Sequence, residues 1–303
     1  MVREVASDRL AEMSATPNAV AVSPHGRGRN GFWARLRSQP ATVFGCGVLV
    51  ALLGIALFTG VIAPDDPFAT SRQVFQVPSR AHPFGTDDLG RDLYRSVMHG
   101  ARASLTVGVV TMLIATVIGV LVGACAGYFG GFVDDALMRF TELFQIVPRF
   151  FLVLITVALF GSSIRLIILL LGLTYWPGTA RLLRGQVLSL RSQEHVMAAR
   201  AIGVREPVIL LRHVLPMALP PIVIEAALLV GGAILVEAGL SFLGLGDRNV
   251  VSWGALLNDA QQFVRRAWWL SAFPGLAITL TVLGFNLLAD GLNEALNPRL
   301  PRR

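Results

Sequence analysis

The sequence contains no lysine; all 26 basic residues are arginine. A phosphate-binding loop of the form G-x-x-x-x-G-K-[ST] is therefore excluded, and any nucleotide hydrolysis linked to this chain must occur on another one. Charge is scarce as well. Only 15% of residues are charged, against about 25% in soluble domains. Cysteine is nearly absent. Cys46 and Cys125 both fall in apolar runs, without C-x-x-C spacing or a nearby histidine, so packing rather than metal or redox chemistry is expected of them. The histidines, His25, His82, His99, His195 and His213, are scattered without ligand spacing. There is no H-E-x-x-H motif and no nucleophile constellation. The chain reads as non-catalytic, with no metal or cofactor of its own.

What the sequence does contain is apolar: 54% of residues are hydrophobic and the mean hydropathy is +0.63. An all-α integral membrane protein follows. The net charge of +7 is accounted for by basic loops flanking apolar spans, so nucleic acid is not expected as a partner. Residues 1–31 are rich in Ala, Ser, Pro, Gly and Arg and read as a disordered tail. The first apolar run, 41–62, starts too far in for a cleaved signal and reads as a retained span. Further spans are expected at 103–127, 139–160, 165–181, 218–240 and 268–288. The third and fourth carry Glu142, Pro148, Arg149 and Pro177, so both need protein or water beside them. Six spans place both termini on one side. Fourteen arginines lie on that side, including Arg35, Arg37, Arg184, Arg191, Arg200, Arg205, Arg212 and Arg299, against eight opposite. The positive-inside rule then makes the termini cytoplasmic.

Between the fourth and fifth spans lies a polar island, 194–216. It is too polar to cross a bilayer and reads as two short helices joined at Gly203-Val-Arg-Glu-Pro207. Ala198-Ala199, three residues, Gly203, nine residues and then His213-Val-Leu215-Pro216 match the spacing of the "EAA" loop of ABC importer permeases. Met197 stands where that loop has Glu, and His213 where it has Ile. Three more segments carry the same resemblance in order: His82-Pro-Phe-Gly-Thr-Asp-Asp-Leu-Gly-Arg-Asp92 with Gly100-Ala-Arg-Ala-Ser-Leu105; Glu237-Ala-Gly-Leu-Ser-Phe-Leu-Gly-Leu-Gly246 with Ser252-Trp-Gly254; and Phe273-Pro-Gly-Leu-Ala-Ile-Thr-Leu-Thr-Val-Leu-Gly-Phe-Asn-Leu-Leu-Ala-Asp-Gly-Leu292 with Asn297-Pro-Arg299. From about residue 32 onward the chain resembles the dipeptide/oligopeptide/nickel branch of ABC importer permeases.

That resemblance implies the six-helix type I importer permease fold. It divides the chain into a first helix with an extracytoplasmic loop (32–102) and a permease core (103–303) with a cytoplasmic coupling loop at 184–217. The implied partners are a homologous second permease, ATPase subunits that bind the ATP, and an extracytoplasmic solute-binding protein. The implied cargo is a di- or oligopeptide, with nickel, haem or glutathione-like solutes open. Ala198, Ala199, Gly203, Arg205, His213, Leu215 and Pro216 would couple to the ATPase. Asp87, Asp88, Arg91, Asp92 and Trp253 would face the binding protein or form an outer gate. From the residues alone, Asp87, Asp88, Arg91 and Asp92 suit helix capping better than a cation site. Glu142 and Arg139 are one turn apart and can pair locally. Glu225 and Glu237 read as structurally paired intramembrane carboxylates, because twelve residues place them about 120° apart rather than on one relay stripe. A self-sufficient secondary transporter is the rival class; it calls for an inverted repeat, and none is evident.

Overall fold

The computed structural model describes Leu36 and residues 39–296, so the expected tail at 1–31 and the closing Asn297-Pro-Arg299 lie outside it. Among the described residues the chain is helical, with a single isolated β-bridge between Thr86 and Asp92. The helices are α1 (Pro40–Ile62), α2 (Leu93–Phe129), α3 (Gly131–Ile146), α4 (Arg149–Phe160), α5 (Ile164–Leu190), α6 (Glu194–Ala201), α7 (Glu206–Ile209), α8 (Leu215–Ala218), α9 (Pro220–Leu240), α10 (Trp253–Ala260) and α11 (Trp269–Leu296). A π-turn, Leu210–Val214, joins α7 to α8, and another, Ser241–Leu245, extends α9.

Local chemistry sets most of the ends. Proline opens α1 and α9, where a missing N–H costs nothing. The Asp92 side chain accepts from the Tyr94 N–H and caps α2. That cap starts α2 at Leu93, ten residues before the expected 103. Gly130 at φ 66° ends it. The helix α5 also runs past the expected end at 181, reaching Leu190 despite Pro177. Residues 184–190 of the expected coupling loop are therefore helical. The third span is broken. Val147 and Pro148 separate α3 from α4, and the two helices meet at a 69° bend.

Five helical segments are long and apolar enough to cross a membrane: α1, α2, α5, α9 with its π-extension, and α11. Contacts show that the bent pair supplies a sixth crossing. The helices α2 and α5 lie parallel. Gly119 abuts Thr179, Gly123 abuts Ala180, and Gly127 abuts Arg184 and Val187. Both end beside the island, where Arg191 donates to the carbonyls of Gly127 (3.0 Å) and Tyr128 (3.1 Å). At 27 residues, α5 is about 40 Å long, so Ile164 lies on the opposite face. There the Ile164 N–H donates to Asp247, in the loop after α9, at 3.1 Å. The chain must cross back between Phe129 and Ile164, and only α3 and α4 are available. By the same parity α11 returns to the island face. It packs antiparallel to α1, with Gly291 against Thr42 and Gly284 against Leu49. Pro40 and Leu296 therefore share the island's face.

Candidate functional site

The island is held by a small core and one polar hub. Val196 and Ala199 on α6, Ile209 on α7 and Val214 in the π-turn are buried with Leu183, Val187 and Leu190 of α5 and with Ala124 and Tyr128 of α2. Gly203 makes the turn at φ 81°, a conformation that L side chains rarely adopt. The Glu206 carboxylate accepts from Arg200 at 2.7 and 3.1 Å and from the Tyr128 hydroxyl. The Arg200 guanidinium, then the Tyr128 hydroxyl, hold Glu206 well below the usual carboxylate range, down to about 2. A fork-to-carboxylate pair thus closes the turn, and a phenol ties it to the end of α2. Glu206 is thus engaged within the chain.

The other island residues divide by exposure. Ala199 is buried, while Ala198, Gly203, Arg205 and Pro216 are exposed and His213 and Leu215 are half-buried. The His213 Nδ1 is buried without a hydrogen-bond partner. Nothing lies within 4 Å of where a Cβ at 203 would sit. Within this chain the constraint at 203 is the backbone angle, not space. Met197, Ile202 and Leu211 are exposed apolar side chains on the same element, Ile202 at 81%. The island thus presents several apolar side chains at its surface.

On the opposite face the acidic loop is organised by its own backbone. Asp87 accepts from the backbone N–H groups of Leu89 and Arg91 and pairs with the Arg91 guanidinium at 2.5 Å. Arg91 reaches Asp259 of α10 at 3.4 Å. Asp92 caps α2 and meets His82 Nδ1 at 2.8 Å. Asp88 is half-buried and lines a crevice with Asp259. The helix that Asp92 caps is α2.

Each residue of Ser252-Trp-Gly254 has a packing role. Ser252 caps α10 by accepting from the Ala255 N–H. Trp253 is fully buried; its Nε1 donates to the Val97 carbonyl at 3.0 Å and its backbone N–H to Ser104 at 3.3 Å. A Cβ on Gly254 would sit 2.5 Å from the Ala238 Cα. The helix α10 is thus clamped between α2 and α9, with Trp253 as its anchor.

The intramembrane carboxylates differ from one another. Glu237 is 2% exposed and accepts from the Ser241 hydroxyl at 2.7 Å, a local partner as expected. Glu225 has none: its Oε2 is buried without a hydrogen-bond partner. Glu142 is exposed on α3, and no ion pair joins it to Arg139 among the described residues. The polar contact that does fix α3 is bidentate, from Arg184 of α5 to Asp134.

A bundle of six crossings, one organised polar island and a clamped helix on the far face define a multi-pass membrane protein. The comparisons say which kind. Residues 101–302 match the family described as binding-protein-dependent transport system inner membrane component, and residues 30–83 match the N-terminal transmembrane domain of oligopeptide transport permease C. The chain belongs to that family of permeases. It is 38% identical to the dipeptide transport system permease of Bacillus subtilis over 89% of this chain and 85% of the relative. It is 37% identical to that of Alkalihalophilus pseudofirmus over 88% of each. To a glutathione transport system permease of Escherichia coli it is 39% identical over 89% of this chain and 90% of the relative.

Proposed function

We propose that this permease is one half of an ATP-driven importer of short peptides, paired with a homologous second permease. The island, 194–216, faces the cytoplasm and docks on an ATPase subunit. The observation that carries this reading is the exposure of Met197, Ile202 and Leu211 on an element that is otherwise packed and pinned. Exposed apolar groups on a braced element suit a docking surface. In this reading Ala198 and Gly203 allow close approach, Arg205 sets orientation at the rim, and His213, Leu215 and Pro216 set the angle at which the island joins α9.

The opposite face, with Asp87, Asp88, Arg91 and Asp92, receives the solute-binding protein. The helix α10 with Trp253 is the outer gate. Relatives named for dipeptide and glutathione transport support a peptide cargo. The excess of arginine on the island's face supports cytoplasmic termini.

The test is uptake into proteoliposomes holding both permeases, the ATPases and the binding protein. Labelled dipeptide should accumulate only with internal ATP, and this chain alone should accumulate none. Single cysteines replacing Arg205 and Arg248 should label from the cytoplasmic and outer sides respectively. Gradient-driven uptake by the lone chain, or outside labelling at position 205 in intact cells, would overturn the proposal.

A further inference from the structure

Two opposite charges without ion-pair partners line one open cavity on the flank of the helix bundle. The cavity, about 260 Å³, is lined by Arg149, Tyr175, Gly178, Glu225 and Gly232 among others. Arg149 stands just after the α3–α4 break and lays its guanidinium carbon 3.7 Å from the centre of the Tyr175 ring. The Arg149 Nε and the Glu225 Oε2 are both buried and both lack a hydrogen-bond partner. Among the described residues neither side chain forms an ion pair. Glycine keeps the wall open, since a Cβ at 178 would sit 3.0 Å from Glu225 Oε1.

Charges at this depth are costly, and pairing with each other would relieve both. The fold instead holds them apart across a cavity. Arg149 is steadied by a cation–π contact that leaves its N–H groups free. A guanidinium fork suits a carboxylate, and a carboxylate suits an ammonium.

Resting on the peptide-importer reading above, we propose that this cavity is a passage site for a short zwitterionic peptide. Arg149 receives the terminal carboxylate and Glu225 the terminal ammonium. Tyr175 and the exposed Leu228 give side chains an apolar wall while the two ends are held. The site would hold cargo in transit weakly, because each end makes a single charged contact.

The test uses the complete transporter in proteoliposomes, with the binding protein saturating and unchanged throughout. Uptake of a free dipeptide is compared with its N-acetylated and C-amidated forms, each first shown to bind the binding protein. In E225Q the preference for a free amino end should fall about tenfold, the loss of one charge-assisted hydrogen bond, while the preference for a free carboxylate survives. In R149Q the pattern should reverse. E225D, which keeps the charge, should recover the amino-end preference, separating this role from a folding defect.

If both variants slow all three peptides by the same factor, the two charges serve pairing with the second permease or bundle stability, and the passage site is refuted. If the unmodified transporter imports no peptide, the peptide reading itself fails first.

Discussion

The close packing of α2 on α5 predicts opposite outcomes for two glycine-to-alanine changes. Gly123 on α2 lies against the backbone of α5. A Cβ there would overlap the Ala180 carbonyl oxygen, and a carbonyl in a helix cannot swing aside as a side chain can. Its neighbours are equally tight. A Cβ at 119 would sit 2.5 Å from the Thr179 Cβ, and one at 127 would sit 2.8 Å from the Arg184 carbonyl. Gly119-x3-Gly123-x3-Gly127 is a small-residue stripe of the kind that lets membrane helices approach by van der Waals contact. Gly185 on α5 is the control, because nothing lies within 4 Å of a Cβ there.

In both positions alanine gains about 0.5–1 kcal/mol of helix propensity over glycine. Only Gly123→Ala must force two helices apart, which costs about 1–3 kcal/mol and more where backbone is struck. Gly123→Ala should therefore destabilise by about 1–2 kcal/mol net, while Gly185→Ala should be neutral or slightly stabilising. The gap between them, about 2 kcal/mol, is roughly a thirtyfold difference in unfolding constant. Purified chain in detergent, unfolded with SDS and followed by tryptophan fluorescence, reads it directly. Equal midpoints for the two variants, or a gain for Gly123→Ala, would refute the parallel α2–α5 contact on which the six-crossing topology rests.

Three further outcomes follow from the island and the far face. Gly203→Asn should tolerate φ 81° and keep coupling, whereas Gly203→Val, costing about 1–2 kcal/mol in a left-handed conformation, should lower substrate-stimulated ATP hydrolysis in the assembled transporter without blocking insertion. The Glu206 carboxyl, held at about 2 against an ordinary 4.5, contributes stability that is fully present above 4.5 and lost as pH falls toward 2; amide exchange around Gly203 should rise across that window in the native chain but not in Glu206→Gln. Trp253, fully buried here, should become accessible to aqueous quenchers in the ATP-bound state if α10 is a gate, and equal quenching in both states would leave it a fixed clamp.

The class was readable because membrane crossings are written in composition and because the island's signature is local. What stayed unreadable was mostly long-range. Glu206 meets Tyr128 across 78 residues, so the hub that fixes the island could not be found from spacing. Arg200 and Glu206 could have been, since a turn at Gly203 brings opposite charges six residues apart into reach. The possible pair of Arg139 with Glu142 does not form among the described residues, for the converse reason. One turn of helix permits such a pair but contributes only about 0.2–0.5 kcal/mol at an exposed site, too little to hold two long side chains together. The start of α2 was legible at Asp92, whose cap outweighs the drop in hydropathy toward residue 93.

The broken third span is the more instructive case. Its charges and Pro148 pointed to protein or water beside it, and the structure turns that into a geometric need. Two parallel helices, α2 and α5, cannot be joined across a membrane without a return crossing. The return is made by segments of 16 and 12 residues, neither reaching the roughly 20 needed alone. The break that joins them is where Arg149 enters the bundle. A straight apolar helix would have made the same crossing without carrying a guanidinium to the cavity that Glu225 faces, so the defect in the span and the polarity of the cavity are one feature.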